Sequence, residues 1–563
     1  MTARGKFVLT VLILAIAGVG IYRWLLPYMP GQKPAPAAAT SPAPKSSGAP
    51  GGPAAAKATK LDVADFVAPQ TACPLLPPAA TYLPKDNVLD LELSEYPGYA
   101  GIVVANGGLD PSENSHFFRK HGFKLRLKLS EEESWPALNA GRIAASATTV
   151  DVLTAHCRNF QVLAPLQIGY SRGADGIVVR REIRRINDLK GRTLVTAQFT
   201  ESDFFIRYLT QEAGLAVHML GGPAERPAPD KVNLLFAADA FAAGDLFLKE
   251  LKSGGTRLAG CVSWAPKTTD IVAASNGAAV LLTTNRNLLI VADVLVVNKG
   301  FAQANPKLVA GLVEGILEGN RLVRDNPSAH LEVIARAFKW DRTKAQAELA
   351  KVHLSNLPEN LAFYSGAIDE AGSFAGIYSS AMLAYGSLID LPVDADRYMD
   401  SSHLKALQAA GAFAGQQVAI APIRSSTRGA LEGDPLLTKD IRFLFEPNSA
   451  KLDMNHQANL AALESIKRLL QVSPGSTILL RGHVDNAMVD SFRKQGGESF
   501  VRQMALKAME LSKNRAIEIR SVLVSRLAVP AARLETVGRG WEEPAGTDAE
   551  KNRRVEVQWF MVE

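Results

Sequence analysis

Residues 7–22 carry no charge, and with the Arg23 side chain snorkelling outwards the apolar run continues to Leu26. At about 1.5 Å per residue this is enough for a helix of about 30 Å, the thickness of a bilayer core. The pattern predicts an amino-terminal membrane anchor in 1–30. Arg4 and Lys6 precede the run, and Trp24 and Tyr28 close it. Positive charge resists translocation and amphipathic rings settle at headgroup depth, so the first residues stay cytoplasmic and all that follows is exported. The rival reading is a cleaved signal peptide with Ala15-Ile16-Ala17 as its small-residue site. The run offers no acidic residue for a proton path, and no cysteine follows closely enough for a lipid-bearing amino terminus.

Residues 31–60 are built of Pro, Ala, Gly and Ser with a few lysines, a composition that cannot bury enough apolar surface to order itself. The stretch reads as a tether averaging about 30 Å end to end. From 86 to 410 short apolar runs alternate with helical periods. The runs at 102–105, 176–179, 193–196 and 290–297 read as buried strands. Segments 204–213 and 306–324 read as helices, the latter with Leu308, Leu312, Ile316 and Leu322 at helical spacing. This alternation marks an α/β domain with open sheets, whose ligands bind beyond the carboxyl ends of the strands. A Gly-, Ala-, Ser- and Arg-containing linker at 411–435 leads to a compact pattern in 436–563. It reads as strand 441–445, helix 455–472, strand 476–482, helix 511–527 and strands 534–537 and 554–562. That βαβαββ order needs only one small core.

At 563 residues, 47% hydrophobic and 21% charged, the chain is too apolar for disorder and too long for one core; roughly two to four domains are expected. A balance of 62 basic against 56 acidic residues, +6 net, is too thin over this length for a nucleic-acid groove. Cys73, Cys157 and Cys261 lack C-x-x-C spacing, which argues against a zinc module and leaves a single bridge open. No G-x-S-x-G, H-E-x-x-H or G-x-x-x-x-G-K-[ST] occurs, and Ser402-x-x-Lys405 lacks the motifs that would accompany a catalytic Ser-x-x-Lys. The nine histidines show no ligand spacing. Neither an enzyme nor a cofactor or metal site is expected.

In the middle region, Ile186-Asn187-Asp188-Leu189-Lys190-Gly191-Arg192-Thr193-Leu194-Val195 leads into Thr200-Glu201-Ser202-Asp203-Phe204-Phe205 and a helix ending at Ala213-Gly214-Leu215. Val262-Ser263-Trp264-Ala265-Pro266, Val296-Val297-Asn298-Lys299 and Asn305-Pro306 follow. These stretches resemble the nitrate, taurine and thiamine-precursor group of ABC-transporter substrate-binding proteins. The resemblance implies a two-lobed fold that closes by hinge motion on a small solute. Thr200 and Ser202 would cap the helix near Asp203 and offer hydroxyl and N–H groups to a ligand. Asn106, before Gly107-Gly108, and Thr148 and Thr149, before Asp151, would stand at analogous strand ends, and Trp264 would wall the cleft. By residue type alone such hydroxyls more often only cap a helix and such an aromatic more often sits in the core, while an ordinary turn needs the glycines equally. Asp203 opposes an anion there, and no clear cationic partner for one stands nearby.

The carboxyl-terminal quarter carries Phe443-x-Phe445-x-Pro447-Asn448-Ser449-Ala450-x-Leu452, Gly482-His483-Val484-Asp485-Asn486 and Leu511-Ser512-x-Asn514-Arg515-Ala516. Gly538-x-Gly540-x-x-x-Pro544 and Asn552-Arg553-Arg554-Val555-Glu556 complete the series. In this order the motifs resemble the OmpA-like peptidoglycan-binding domain. The resemblance implies that Asp485 accepts the ammonium and Arg515 holds the carboxylate of the diaminopimelate tip of the peptide stem, with Asn448, Ser449 and Arg554 at the rim. Arginine suits a carboxylate because its fork binds both oxygens, and a carboxylate beside an ammonium makes a charge-assisted bond. The alternative is a plain Asp485–Arg515 surface pair worth about 0–1 kcal/mol. Two departures stand out: Val484 occupies the family's usual threonine position, and the stretch between Asn486 and Leu511 is long, with Asp490, Arg493, Lys494 and Glu498 inside it.

Together these readings describe an inner-membrane, single-pass envelope protein whose bulk lies in the periplasm, bound to peptidoglycan at one end and presenting a small-molecule solute domain between the anchors. It would serve as sensor, scaffold or capture module. The alternative is the substrate-binding component of an ABC transporter, retained at the wall and partnered by a permease.

Overall fold

The computed structural model describes residues 62–561 apart from 131–133, 369–370, 391, 421–434, 447–448 and the Cys157 side chain. The expected anchor in 1–30, the tether in 31–60 and most of the 411–435 linker lie outside the described residues. Among the described residues no helix is long and apolar enough to cross a membrane.

Two six-stranded sheets build the middle region. The first runs Val352–Leu354, Val162–Ser171, Ala292–Asn298, Ala145–Thr149, Val88–Leu93, Lys124–Leu129 across its width, and the second Ala279–Thr284, Asp175–Arg180, Gly260–Trp264, Thr193–Ala197, Val232–Ala237, Val217–Met219. In the first, Val88–Leu93 pairs in parallel with both neighbours, while Ala292–Asn298 is antiparallel to both of its own. The chain leaves the first sheet at Ser171, enters the second at Asp175, and returns between Thr284 and Ala292. One sheet per lobe, joined by two adjacent crossings, is the geometry of a hinged cleft.

The strands Asp175–Arg180, Thr193–Ala197 and Ala292–Asn298 and the helices Glu201–Glu212 and Pro306–Asp325 fall where the periodicity puts them. Residues 102–105 do not form the expected strand. They belong to the helix Ala100–Asn106, entered through the Pro97–Tyr99 turn and ended by Gly107 at φ +79°. A four-residue apolar run has no period that separates strand from buried helix, whereas a glycine in the left-handed region is a helix terminator. The strand that opens the lobe is Val88–Leu93, with Leu89, Leu91 and Leu93 buried. Asp90 and Glu92 interrupt its apolar run and are paired by Arg126 and Lys128 of the neighbouring strand. Helix Ala100–Asn106 packs under Pro306–Asp325 so closely that a Cβ at Gly319 would stand 2.0 Å from the Gly101 carbonyl oxygen.

The third sheet has four strands in the order Leu437–Ile441, Val555–Phe560, Thr477–Gly482, Leu534–Gly538, covered by the helices Gln457–Val472 and Val489–Leu527. The βαβαββ order holds, with a short helix Ala549–Asn552 before the last strand. Its first strand ends at Ile441 instead of running over 441–445, because pairing with Val555–Phe560 sets its register. Phe445 makes only an isolated bridge with Leu452. The long stretch after Asn486 is helical from Val489, broken at Gly496 and at Gly497 (φ +64°), and then joins the expected 511–527 helix.

This domain docks directly on the second lobe and the hinge. The Ile186 amide donates to the Leu436 carbonyl at 3.0 Å, and the Leu289 amide, inside the return crossing, donates to the Val472 carbonyl at 2.8 Å. The Asn187 side chain exchanges two hydrogen bonds with the Thr438 backbone, at 2.9 and 2.8 Å. Cys73 takes part in a disulfide, and Cys261 is a buried free thiol. A bridge to Cys261, left open by the sequence, is therefore not formed.

Candidate functional site

Where the two lobes meet, the ends of strands from both sheets enclose a cavity of about 20 Å³, room for little more than one water-sized group. The first lobe contributes Ser94, Tyr96 and Tyr99 after Val88–Leu93, Thr148 and Thr149 at the end of their strand, and Asp293. The second contributes Asp175, Glu201 and Trp264. All but Val291, Asp293 and Asp175 lie at or beyond a strand's carboxyl end, as expected of open α/β sheets.

Asp175 sits at the first crossing. Its Oδ2 accepts from the Asn285 amide at 3.1 Å, while Asn285 Oδ1 accepts from the Ser171 hydroxyl at 3.1 Å and the Gly173 amide at 2.9 Å. This ties both crossings together at the hinge. The other oxygen of Asp175 has no hydrogen-bond partner, and burial pushes its pKa up to about 6. Asp293 accepts from the hydroxyls of Tyr96 and Tyr99, each at 3.3 Å, and burial, with Asp175 nearby, lifts it well above the carboxylate range. Just behind, Asp151 is pushed up to about 7 by burial, with Asp175 and Asp203 adding to the rise.

Thr148, Thr149 and Trp264 line the cavity; Thr148 Oγ1 and Trp264 Nε1 have no hydrogen-bond partner. Thr200 stands at the N-cap of Glu201–Glu212 but turns its hydroxyl to the Ala197 carbonyl at 2.9 Å. Ser202 is buried with its hydroxyl unpartnered, outside the cavity lining. Asn106 donates to the carbonyls of Gly108, Asp110 and Leu125, tying off the turn after its helix away from the cavity. Asp203, in the first turn of that helix, folds back to accept the Phe199 amide at 3.1 Å and pairs with Arg207 at 2.7 Å.

Sequence reasoning missed Tyr96, Tyr99, Asp175, Glu201 and Asp293. Asp293 did carry a signal, since a carboxylate inside the apolar run 290–297 must be desolvated there for a reason. The Tyr96-Pro97-Gly98-Tyr99 turn was hidden because the strand before it was not recognised.

A second pocket, of about 140 Å³, opens in the carboxyl-terminal domain between Phe443, Phe445, His483, Arg515, Arg553 and Arg554. Arg515 is placed by close packing: a Cβ at Gly482 would stand 2.1 Å from the Ser512 carbonyl oxygen, so the Arg515 helix lies directly on the strand carrying the Gly482-His483 end. Its guanidinium lies over the Phe445 ring, 4.8 Å from the centroid, and its Nε has no partner. Burial, then the neighbouring Arg553, draws its pKa below the ordinary value, opposed by the field of Asp485. It is a partly desolvated cation lacking a bonded anion at Nε. Asp485 does not pair with Arg515. It accepts from Arg553 Nε at 2.7 Å and from the Ala487 amide at 3.1 Å; burial works to raise its pKa, but these bonds bring it below the usual value.

Arg554 lines the pocket while donating to Asp440 at 3.0 Å and to the Glu543 carbonyl at 3.3 Å. Ser449 accepts the Lys451 amide at 2.9 Å in a turn outside the lining, and Asn448 lies outside the described residues. The inserted stretch contributes nothing to the lining; Phe492 packs against Trp541, and Arg493 pairs with Asp490 and Glu498.

The OmpA family matches residues 444–558, so the carboxyl-terminal domain is an OmpA domain. No curated protein matches the chain. Among solved structures, the alkanesulfonate-binding protein SsuA from Xanthomonas axonopodis pv. citri bound to MOPS is similar at 14% identity and TM-score 0.42, covering 56% of this chain and all 100% of its own. The periplasmic aliphatic sulphonate binding protein SsuA from Escherichia coli follows at 16% and 0.41, covering 62% and 99%. The periplasmic nitrate-binding protein NrtA from Synechocystis PCC 6803 stands at 11% and 0.41, covering 58% and 89%. The two-lobed character of the middle region is carried by its own two sheets and double crossing.

Proposed function

We propose that this protein is a cell-envelope binding protein that grips peptidoglycan through its OmpA domain and holds a small solute in the cleft between its lobes. The observation that carries the wall-binding reading is Arg515, whose guanidinium is fixed over Phe445 in a basic pocket with an unpartnered Nε. A stem-peptide carboxylate entering there receives two parallel N–H bonds from the fork. The ligand's ammonium exchanges with Arg553 on Asp485, which keeps its negative charge and stands outside the pocket lining until that exchange. Arg554 then supports the carboxylate side, and the loop bearing Asn448 and Ser449 forms the outer rim.

In this reading 1–30 anchors the chain as a single pass in the inner membrane, 31–60 spaces it outwards, 86–410 is the solute domain, 411–435 the linker and 436–563 the wall-binding domain. The protein works by binding rather than catalysis. The test is co-sedimentation of the full chain with purified peptidoglycan. Asp485→Ala and Arg515→Ala should each abolish it while melting with the parent protein; unchanged sedimentation of both refutes the site. The two-lobed cleft also favours a second reading, in which the protein delivers solute to an ABC permease; a permease recovered with the full chain from membranes would support it.

A further inference from the structure

We propose that the cleft takes a small organic cation, its ammonium group seated between Asp175 and Asp293 beside Glu201, with the rings of Tyr96, Tyr99 and Trp264 as walls. The inference rests on the solute-binding reading above and names the charge of the solute. Carboxylates reach this point from both lobes: Asp293 from the first, Asp175 and Glu201 from the second, all lining the cavity. No lysine or arginine lines it. Arg207, on the helix that carries Glu201, is already held by Asp203 at 2.7 Å. An anion would meet three carboxyl groups without a counter-charge, and the helix terminus that would otherwise welcome it carries Glu201 and Asp203 in its own first turn.

An independent observation points to a ligand here. Asp175 Oδ1 has no hydrogen-bond partner although the residue is only 2% exposed, and the residue lines the cavity. A buried carboxylate oxygen without a partner is costly, and a cation with N–H donors satisfies it. Aromatic faces add attraction for the same charge. A metal ion is the weaker fit, because metals need several ligand atoms converging at close range. Among the described residues the clusters tight enough for that lie elsewhere, at His116, His121 and Glu314 and at His483, Glu543 and Glu556. The first of these is already filled by the ammonium of Lys120, at 2.6 Å from Glu314. The cavity volume of about 20 Å³ suits one ammonium head, so the rest of a larger solute requires the lobes to part.

The test is isothermal titration calorimetry on the full chain with three groups of probes. They are 1,4-diaminobutane, choline and agmatine; methanesulfonate, nitrate and inorganic phosphate; and calcium and zinc chlorides. The expected result is binding of at least one organic cation with Kd below about 100 μM. Asp175→Asn and Asp293→Asn should each weaken it by at least ~10-fold, since each removes a charge-assisted bond. Both variants should melt no lower than the parent without ligand, and Glu201→Gln serves as a third variant should either fail to fold. Binding of an anion or of a metal ion alone overturns the cation assignment and leaves the solute-binding reading standing. Organic-cation binding that survives all three substitutions overturns the placement in this cleft. Absence of binding by every probe overturns both readings.

Discussion

The strongest physical prediction concerns the ligand-free protein and pH. Asp151 is fully buried and pushed up to about 7 from an ordinary 3.8, chiefly by loss of solvent. Its folded pKa lies above its unfolded one. The protonated form therefore supports the fold fully below about 3.8, and that support is lost as pH rises through about 7. At 1.36 kcal/mol per pH unit between the two values, the loss is roughly 4 kcal/mol by pH 8. At roughly 2 °C per kcal/mol for a domain of this size, that is a fall in Tm of about 8 °C. Asp175, pushed up to about 6, and Asp293, higher still, act in the same direction. The groups facing them are Glu201, Asp203, Tyr96 and Tyr99, and Arg207 is spent on Asp203. Asp151→Asn keeps the shape and removes the ionisation. Calorimetry from pH 4 to pH 8 should show the wild-type transition falling with pH and the variant falling distinctly less. A wild-type transition that does not fall, or a variant that falls in step with it, refutes the reasoning.

Three further outcomes are expected. Arg515→Lys keeps the charge but loses the planar fork over Phe445, and should weaken peptidoglycan binding by ~10-fold or more in the sedimentation assay. Glu314 accepts from His116 and His121 at 2.8 Å and Lys120 at 2.6 Å; burial raises its pKa, but these bonds overcome it and bring it to about 2. Glu314→Gln should cost about 1–3 kcal/mol in chemical denaturation at pH 7, and the gap should close as pH falls from 4.5 towards 2. Gly319→Ala forces a methyl to 2.0 Å from the Gly101 carbonyl and should lower stability by about 1–3 kcal/mol, read as a lower denaturation midpoint.

The two sites were legible to different degrees for a reason visible in their residues. The OmpA motifs are local: each binding candidate lies within a few residues of a diagnostic glycine, asparagine or phenylalanine. Arg515 could therefore be singled out from sequence as a candidate, whereas the salt-bridge partner of Asp485 could not. The alternative of a plain Asp485–Arg515 pair gives way to Asp485–Arg553, at 2.7 Å, because the two basic residues come from distant stretches and only packing decides which one reaches the carboxylate. In the cleft, Thr148, Thr149 and Trp264 were reached through strand ends. Tyr96 and Tyr99 escaped because Asp90 and Glu92 disguised the strand before them.

Periodicity and motif order by themselves determined that this chain carries an α/β middle region and a βαβαββ end, because burial imposes a spacing on neighbouring residues that is readable in one dimension. The charge of the cleft was decided only by the tertiary structure. Asp175 and Asp293 are distant in sequence and ordinary in type; two chain crossings bring them to one cavity, where burial, rather than the identity of the residues, raises their pKa values and leaves an Asp175 oxygen in want of a partner.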